Sequence, residues 1–270
     1  MIRVLFKAYQ EFNKDDGPAL AGFIAFSTIL GLFPFIILST NIAAMTFGAE
    51  RSQEAVDALF NYAPEHVAKT LEPVLLDVLR GAGGSLLTVS GIAALWISSN
   101  AVEALRKAFD RAYKVESPRR WWKGRLISFG VVIVGVFVFM ILGLTIVLGP
   151  LIMRLIETYL GFTVPNGVGL IRYLLGFTLF VGFLLFLHRI LPRHSYSIKR
   201  LWVGVVVSTL IWILAASIFS IYLGYTPSYV STYGTLAGVI ITLVFLYITG
   251  MAIIYGAEVN AVLAKGRMTE

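Results

Sequence analysis

The acidic residue that raises the question of function is Glu258, within the apolar run GMAIIYGAEVNAVLAKGR. No Asp, Glu, Lys or Arg occurs between Leu201 and Ala257. A second acid, Glu103, also follows an apolar run. An unpaired charge inside a membrane is costly, so each carboxylate marks either the charged end of a membrane span or a functional group.

A second set of polar side chains lies inside apolar segments. Ser98, Ser99 and Asn100 form a polar patch in one segment, and Asn41 lies in another. Such residues most often form hydrogen bonds between membrane helices, and they can also line a polar cavity. Pro34 removes a backbone hydrogen bond from its helix and is predicted to kink it, and kinked spans often border cavities.

Residue types needed for hydrolytic or metal chemistry are sparse. The chain has no Cys, and its three His, at positions 66, 188 and 194, lack the spacing of a metal-dependent nuclease. We interpret His188 and His194 as interfacial residues in a basic loop. No phosphate-binding loop with a Gly-Lys-Ser/Thr ending is present. The sequence therefore predicts no catalytic residue, no metal, no cofactor and no nucleic-acid partner, and we reject a nuclease function.

The elements that position these residues are predicted to be membrane helices. Hydrophobic residues make up 58% of the 270 residues and charged residues only 14%, and the mean hydropathy is +0.83. A soluble domain with so few polar residues could not cover its surface with them. The composition predicts an all-α polytopic membrane protein.

Six apolar segments reach or approach the length of about 20 residues that a helix needs to cross a bilayer. Their approximate bounds are 19–47, 85–105, 126–153, 170–191, 201–223 and 233–257. Residues 51–80 carry apolar side chains at helical spacing, which predicts a short amphipathic helical segment on the external side. The whole chain, 1–270, is predicted to be a single integral membrane domain.

The basic residues orient these spans. Of the 22 Lys and Arg residues, seventeen lie at the two termini and in the second-to-third and fourth-to-fifth connections. The positive-inside rule places that side in the cytoplasm. We therefore predict a multi-pass membrane protein with both termini cytoplasmic.

In this topology, Glu103 and Glu258 lie at the same depth, at the cytoplasmic ends of the second and sixth spans. The simpler interpretation is that they pair with Arg106, Lys107 or Arg125 and stabilise the inner rim of the helix bundle. The functional alternative is a gate or a head-group site in which such pairs open and close.

Four stretches carry a resemblance to a known family. They are LAGFIAFSTILGLFP, EALRKAFDRAYKV, YGTLAGVI and YGAEVNAVLAKGR. In this order they resemble the YihY/BrkB family of bacterial inner-membrane proteins, formerly named ribonuclease BN. The resemblance covers nearly the whole chain and implies six transmembrane helices with cytoplasmic termini, in the bacterial cytoplasmic (inner) membrane. Family members commonly carry Asp-Ala-Leu-Asn and then an aromatic residue where this chain has Glu103, Ala104, Leu105, Arg106 and Phe109, so the acidic position is kept and Arg106 replaces the Asn.

The function that these patterns favour is transport or handling of a lipid or other amphiphile, with membrane lipids as partners. No span carries a mid-membrane acid or a row of Arg, as ion-coupled transporters do. An amphiphile can keep its tail in lipid and needs few polar residues for its head group. The alternative is a scaffold without transport activity that binds envelope proteins. A polar path reaching Asn41, Ser98 and Asn100 would favour the transporter.

Overall fold

The computed structural model describes residues 1–47, 84–115, 119–142, 145, 167–193, 197–225 and 235–266. The elements in these ranges are helices, which confirms the all-α prediction for this part of the chain. We number them α1 (Ile2–Lys14), α2 (Gly17–Phe47), α3 (Gly84–Ala112), α4 (Trp121–Leu142), α5 (Gly167–Ile190), α6 (Ile198–Tyr225) and α7 (Thr235–Gly266).

Four helices of the described ranges are long and apolar enough to cross a membrane. The segments concerned are Trp121–Leu142, Gly169–Ile190, Ile198–Tyr222 and Val239–Ala264. They overlap the third to sixth predicted spans. Helices α2 and α3 cover the first and second predicted spans, and the count of six stays a prediction. The predicted external segment, 51–80, lies outside the described residues.

Large apolar side chains cover the outward faces of the long helices. Phe137 of α4, Leu174 of α5, Leu214 of α6 and Val244 of α7 are all exposed. Lipid tails accept such side chains without the free-energy cost that water imposes, while each helix satisfies its own backbone hydrogen bonds. These surfaces fit a protein embedded in a bilayer.

The chain divides into two compact units. Unit 1 consists of Met1–Leu32, Ser98–Val131 and Leu184–Glu270, and unit 2 of Phe33–Ile97 and Val132–Phe183. Within unit 2, the rings of Phe35 and Phe139 pack edge to face with centroids 5.8 Å apart. Unit 1 holds α1, α6 and α7 in full, and it contains the charged clusters described below.

Within unit 1, α6 and α7 approach closely through small residues. A Cβ atom at Gly204 would overlap the carbonyl oxygen of Gly256, and one at Gly256 would overlap Ser208 Oγ. Asn260 of α7 then binds the backbone of α6: its Oδ1 accepts the Gly204 N–H at 2.8 Å, and its Nδ2 donates to Leu201 O at 3.0 Å. Close approach of this kind is typical of membrane helices with small residues at the contact.

A tight turn joins α1 to α2. Asp16 has a φ of 56°, in the left-handed region, which Asp adopts more readily than most residues. A Cβ at Gly17 would overlap the ring of Phe12, so only glycine fits there. The turn lets α1 fold back and pack against α7.

Candidate functional site

The polar patch predicted in α3 is divided between two environments. Ser98 and Ser99 are buried, and Ser98 Oγ donates a hydrogen bond to Gly31 O of α2 at 3.2 Å. Asn100 is exposed, and its Oδ1 accepts a hydrogen bond from Arg125 Nη1 at 2.9 Å. Ser98 therefore links two helices, which is the simpler of the two interpretations of the patch.

Pro34 and Asn41 both lie in α2, and the helix continues through Pro34. The side chain of Asn41 is outside the described residues. A kink at Pro34, and a polar path from Asn41 to Ser98 and Asn100, therefore stay predictions.

Glu103 belongs to an ionic group, the Arg106 cluster, formed by Glu103, Arg106, Asp110 and Ser128. Arg106 Nη2 and Nε donate to the two Glu103 carboxylate oxygens at 2.6 and 3.0 Å. Arg106 Nη1 donates to Asp110 Oδ2 at 2.5 Å, and Ser128 Oγ donates to Glu103 Oε2 at 3.2 Å. The arginine side chain is only 7% exposed. The structure thus pairs Glu103 with one of its three predicted partners, in the bidentate geometry that makes arginine pairs strong.

The same ionic network continues to the end of α5. Asp110 Oδ1 accepts the backbone N–H of Arg193 at 3.2 Å. Arg119 Nη1 donates to Leu191 O at 2.9 Å, and its Nη2 donates to Pro192 O at 2.8 Å. These contacts satisfy backbone groups just beyond the last turn of α5, where the helix itself offers no partner. Asp110 therefore links α3 to the residues after α5, and Arg119, a basic residue that the topology alone would explain, binds the same segment.

Glu258 has an environment that differs from the predicted one. It lies on α7 and is 1% exposed. The charged groups that interact electrostatically with its carboxylate are Asp15, Lys114 and Glu11. Within the described part of the chain, Glu258 Oε1 has no hydrogen-bond partner. In place of the predicted partners on α3 and α4, its neighbours are two acids from the α1 region and the lysine that follows α3. We call Glu11, Asp15, Lys114 and Glu258 the Glu258 cluster.

Lys114 supplies the positive charge of the Glu258 cluster. Its Nζ contacts both carboxylate oxygens of Asp15 and lies 3.2 Å from Glu11 Oε2. Its φ of 53° is in the left-handed region, at the position beyond a helix end where glycine is usual. Partial burial disfavours the charged ammonium, but the hydrogen bonds to Asp15 and Glu11 outweigh this effect and raise the pKa of Lys114 above its usual value.

A cavity of about 170 Å³ lies beside the Glu258 cluster. It is lined by Lys7, Glu11, Ala112, Glu258, Ala261 and Val262. Lys7 is exposed and Glu258 is buried, so the lining ranges from a solvent-facing cation to a buried carboxylate. The volume is several times the roughly 30 Å³ that one water molecule occupies in the liquid. The cavity therefore has room for a small polar group.

Helix α1 is the element that the sequence analysis did not predict. One face of α1 packs on α7: Ala8 is buried against Val259 and Val262. Tyr255 Oη of α7 donates a hydrogen bond to Leu5 O at 2.9 Å. This face brings the acids of α1 to the buried carboxylate of Glu258.

The opposite face of α1 is apolar and exposed. Ile2, Phe6 and Tyr9 lie on it at helical spacing, with Arg3 and Lys7 next to them. A helix with an exposed apolar stripe and neighbouring basic residues is typical of a helix that lies in the membrane surface. The signal for this helix in the sequence is the three- and four-residue spacing of the apolar residues within IRVLFKAYQEFNK. A count of charged residues does not reveal this spacing.

The prediction for His188 is wrong. His188 is fully buried in α5 instead of lying in a basic loop. Its Nδ1 is 2.9 Å from Leu184 O, and its ring packs edge to face against Phe109 with centroids 4.8 Å apart. The packing of α3 against the last turn of α5 covers it, which the sequence of α5 alone does not indicate. His66 and His194 lie outside the described residues.

Metal binding has no support in the part of the chain that the structure describes. Among those residues, no group of three His, Asp or Glu side chains could hold a metal ion. In the Glu258 cluster, the ammonium group of Lys114 already contacts both Asp15 and Glu11.

Comparison with known proteins places this chain among bacterial membrane proteins. The family model described as Virulence factor BrkB matches residues 8–270. The ribonuclease-like protein YfkH of Bacillus subtilis (strain 168) is 29% identical over 266 residues, which cover 95% of this chain and 94% of that protein. A UPF0761 membrane protein of Coxiella burnetii (strain Dugway 5J108-111) is 29% identical over 269 residues, which cover 96% of this chain and 92% of that protein. A UPF0761 membrane protein of Chromohalobacter salexigens is 26% identical, covering 100% of this chain and 65% of that protein. No solved structure matches the chain.

Proposed function

Because this chain belongs to the BrkB virulence factor family, and its relatives include UPF0761 membrane proteins, we propose that it transports or handles a lipid or other amphiphile in the bacterial inner membrane. The observation that supports this proposal is the cavity between α1 and α7, where charged groups lie beneath a helix with an exposed apolar stripe.

An amphiphile needs two environments close together. The exposed stripe of Ile2, Phe6 and Tyr9 offers an apolar surface that is compatible with acyl chains. The cavity offers Lys7, Glu11 and Glu258 to a polar head group. A head group can enter such a cavity while its tail stays in the bilayer, so the molecule never has to leave the membrane.

The ribonuclease-like name of YfkH has no counterpart in the described residues of this chain. Hydrolysis of a phosphodiester by a metal-dependent mechanism needs side chains that hold the metal and activate water. Those residues contain no such group. The charged side chains that unit 1 does bring together are carboxylates, lysine and arginine, which are suited to binding charged head groups.

Reconstitution tests this proposal. The purified protein is placed in liposomes that carry fluorescent phospholipid in both leaflets, and dithionite is added to quench the outer leaflet. We expect the fluorescence of the inner leaflet to be lost faster than in protein-free liposomes or in liposomes with heat-denatured protein. The rate should rise in proportion to the number of protein molecules per liposome.

A scaffold without transport activity gives a different result. It would leave the inner-leaflet fluorescence as stable as in protein-free liposomes for phospholipid, glycolipid and lysolipid probes alike. That result, obtained with protein that remains folded after reconstitution, would contradict translocation and would favour binding of envelope proteins.

A further inference from the structure

We propose that the cavity beside the Glu258 cluster binds the primary ammonium group of an aminophospholipid, with phosphoethanolamine as the head group. The inference rests on the proposed function, because it names the class of amphiphile that the same cavity accepts.

The first observation is an acceptor without a donor. Glu258 is 1% exposed, its Oε1 has no hydrogen-bond partner among the described residues, and it lines the cavity. A buried carboxylate oxygen without a donor is costly, and a charged donor relieves that cost most effectively. A primary ammonium group carries three N–H donors on a compact cation, and it fits an acceptor at the buried end of a cavity.

The second observation is the balance of charge around the cavity. Glu11, Asp15 and Glu258 carry negative charges when ionised, and the nearby cations are Lys7 and Lys114. Glu258 interacts electrostatically with Asp15 and Glu11. Neighbouring carboxylates repel unless a cation or a proton lies between or beside them. With all three acids ionised, one additional monovalent cation would balance their charge.

The contacts of Lys114 favour an organic cation over a divalent metal. A metal such as Mg²⁺ needs several oxygen ligands around one point. The ammonium of Lys114 already contacts the oxygens of both Asp15 and Glu11, whereas Glu258 Oε1 has no hydrogen-bond partner among the described residues. One N–H donor of an ammonium ion needs only one such acceptor, and no group of three acidic or His side chains in the described residues could hold a metal ion.

The exposed end of the cavity fits the rest of the head group. Lys7 is exposed and shares the lining with Glu258. An ammonium ion in phosphoethanolamine is two carbon atoms away from a phosphate, so a head group whose ammonium meets Glu258 directs its phosphate toward the cavity opening and the charge of Lys7. The acyl chains would stay in the bilayer outside the cavity, because the residues that line it include no large apolar side chain other than Val262.

Binding of short-chain lipids to the detergent-solubilised protein tests the inference. The probes are dihexanoyl phosphatidylethanolamine, dihexanoyl phosphatidylcholine, dihexanoyl phosphatidylglycerol and soluble O-phosphoethanolamine, and each affinity is measured by titration calorimetry. We expect the phosphatidylethanolamine to bind at least about tenfold more tightly than either of the other two lipids, because only its head group donates N–H bonds to a carboxylate. We also expect it to bind more tightly than O-phosphoethanolamine, which has no acyl chains.

Two matched variants assign the effect to Glu258. Glu258→Gln removes the charge at nearly constant volume and should weaken the binding of phosphatidylethanolamine at least about tenfold. Asp16→Asn removes a carboxylate from the same turn, and Asn tolerates the left-handed backbone there. Because Asp16 is exposed and pairs with Arg111, this variant should bind the lipid like the original protein. Gel filtration and circular dichroism verify that both variants fold.

Three outcomes of the binding measurements would contradict the ammonium site. Equal affinity for phosphatidylglycerol would show that the ammonium group is not recognised. Unchanged affinity in Glu258→Gln would show that a proton and Lys114 already satisfy the carboxylates. Equal affinity for O-phosphoethanolamine would identify a soluble amine as the ligand in place of a lipid.

Because this assay measures binding without transport, its failure can be separated from failure of the proposed function. Selective binding without dithionite access would contradict translocation alone. Translocation without head-group selectivity would contradict only the ammonium site.

Discussion

At the residue scale, unit 1 contains two ionic groups that differ in how completely their acids are paired. In the Arg106 cluster the guanidinium is bound by two acids and held in place by a bidentate contact. In the Glu258 cluster one lysine contacts two acids, and the third acid keeps a carboxylate oxygen without a partner among the described residues. The first arrangement stabilises helix packing, and the second leaves an acceptor for a ligand.

Arg106→Met should destabilise the protein strongly. It would leave Glu103 and Asp110 partly buried without their cation, and breaking a buried ion pair on one side costs about 3–5 kcal/mol. Arg111→Ala on the same helix is the control, because its contact with Asp16 is exposed and such pairs contribute about 0–1 kcal/mol. Unfolding in mixed micelles measures both. Equal effects of the two substitutions would contradict the structural role of Arg106.

At the element scale, the apolar segments were enough to predict most helix positions, because the membrane sets the length of each apolar run. The predicted span 201–223 corresponds to α6, Ile198–Tyr225, and the span 233–257 to α7, Thr235–Gly266. Helix α7 continues past its predicted end, because a helix does not stop where its apolar side chains stop. Its continuation carries Glu258 and Asn260 into contact with other helices.

The close contact between α6 and α7 predicts that a larger residue at that contact destabilises the protein. Gly204→Ala places a Cβ atom against the carbonyl oxygen of Gly256 and should cost about 1–3 kcal/mol through overpacking. Gly130→Ala in α4 is the control, because no described atom lies within 4 Å of a Cβ built there. It should be neutral or should stabilise its helix by up to about 1 kcal/mol. Thermal unfolding in detergent measures the difference. If Gly204→Ala unfolds at the same temperature as Gly130→Ala, the close approach of the two helices is contradicted.

The attachment of α1 to the end of α3 should depend on pH. The pKa of Lys114 is raised in the folded protein, so its contribution to stability is complete below the unfolded lysine pKa of about 10.4 and is lost as pH rises through the higher folded value. The melting temperature of the original protein should therefore exceed that of Lys114→Met at neutral pH, and the difference should shrink at strongly alkaline pH. A difference that stays constant across this range would contradict the ion pairs of Lys114.

At the scale of the whole molecule, membership of a membrane-protein family could be predicted from short sequence motifs, but the composition of the candidate site could not. Asp15 and Glu258 come from opposite ends of the chain, and they meet because the turn at Asp16 and Gly17 folds α1 onto α7. A single sequence gives no signal for such a contact. The pairing of Glu103 with Arg106 was predictable because the two residues are three apart on one helix.

The predicted topology can be tested because the chain has no native Cys. Single cysteines at Ser52, Lys107 and Ser197 should report the side of the membrane on which each lies. A membrane-impermeant maleimide added to spheroplasts should label only Ser52→Cys, and the other two should react after permeabilisation. Labelling of Lys107→Cys or Ser197→Cys in intact spheroplasts would contradict six spans with cytoplasmic termini.

The measurement that tests lipid handling through the cavity most directly is translocation of a fluorescent phosphatidylethanolamine, labelled on its acyl chain, in dithionite-treated liposomes. Three proteins are compared at equal density: the original chain, Glu258→Gln and Asp16→Asn. We expect the original chain and Asp16→Asn to expose the inner leaflet at the same accelerated rate, and Glu258→Gln to approach the rate of protein-free liposomes. Equal rates for all three proteins, whether fast or at the protein-free level, would contradict a role for the cavity in moving lipid.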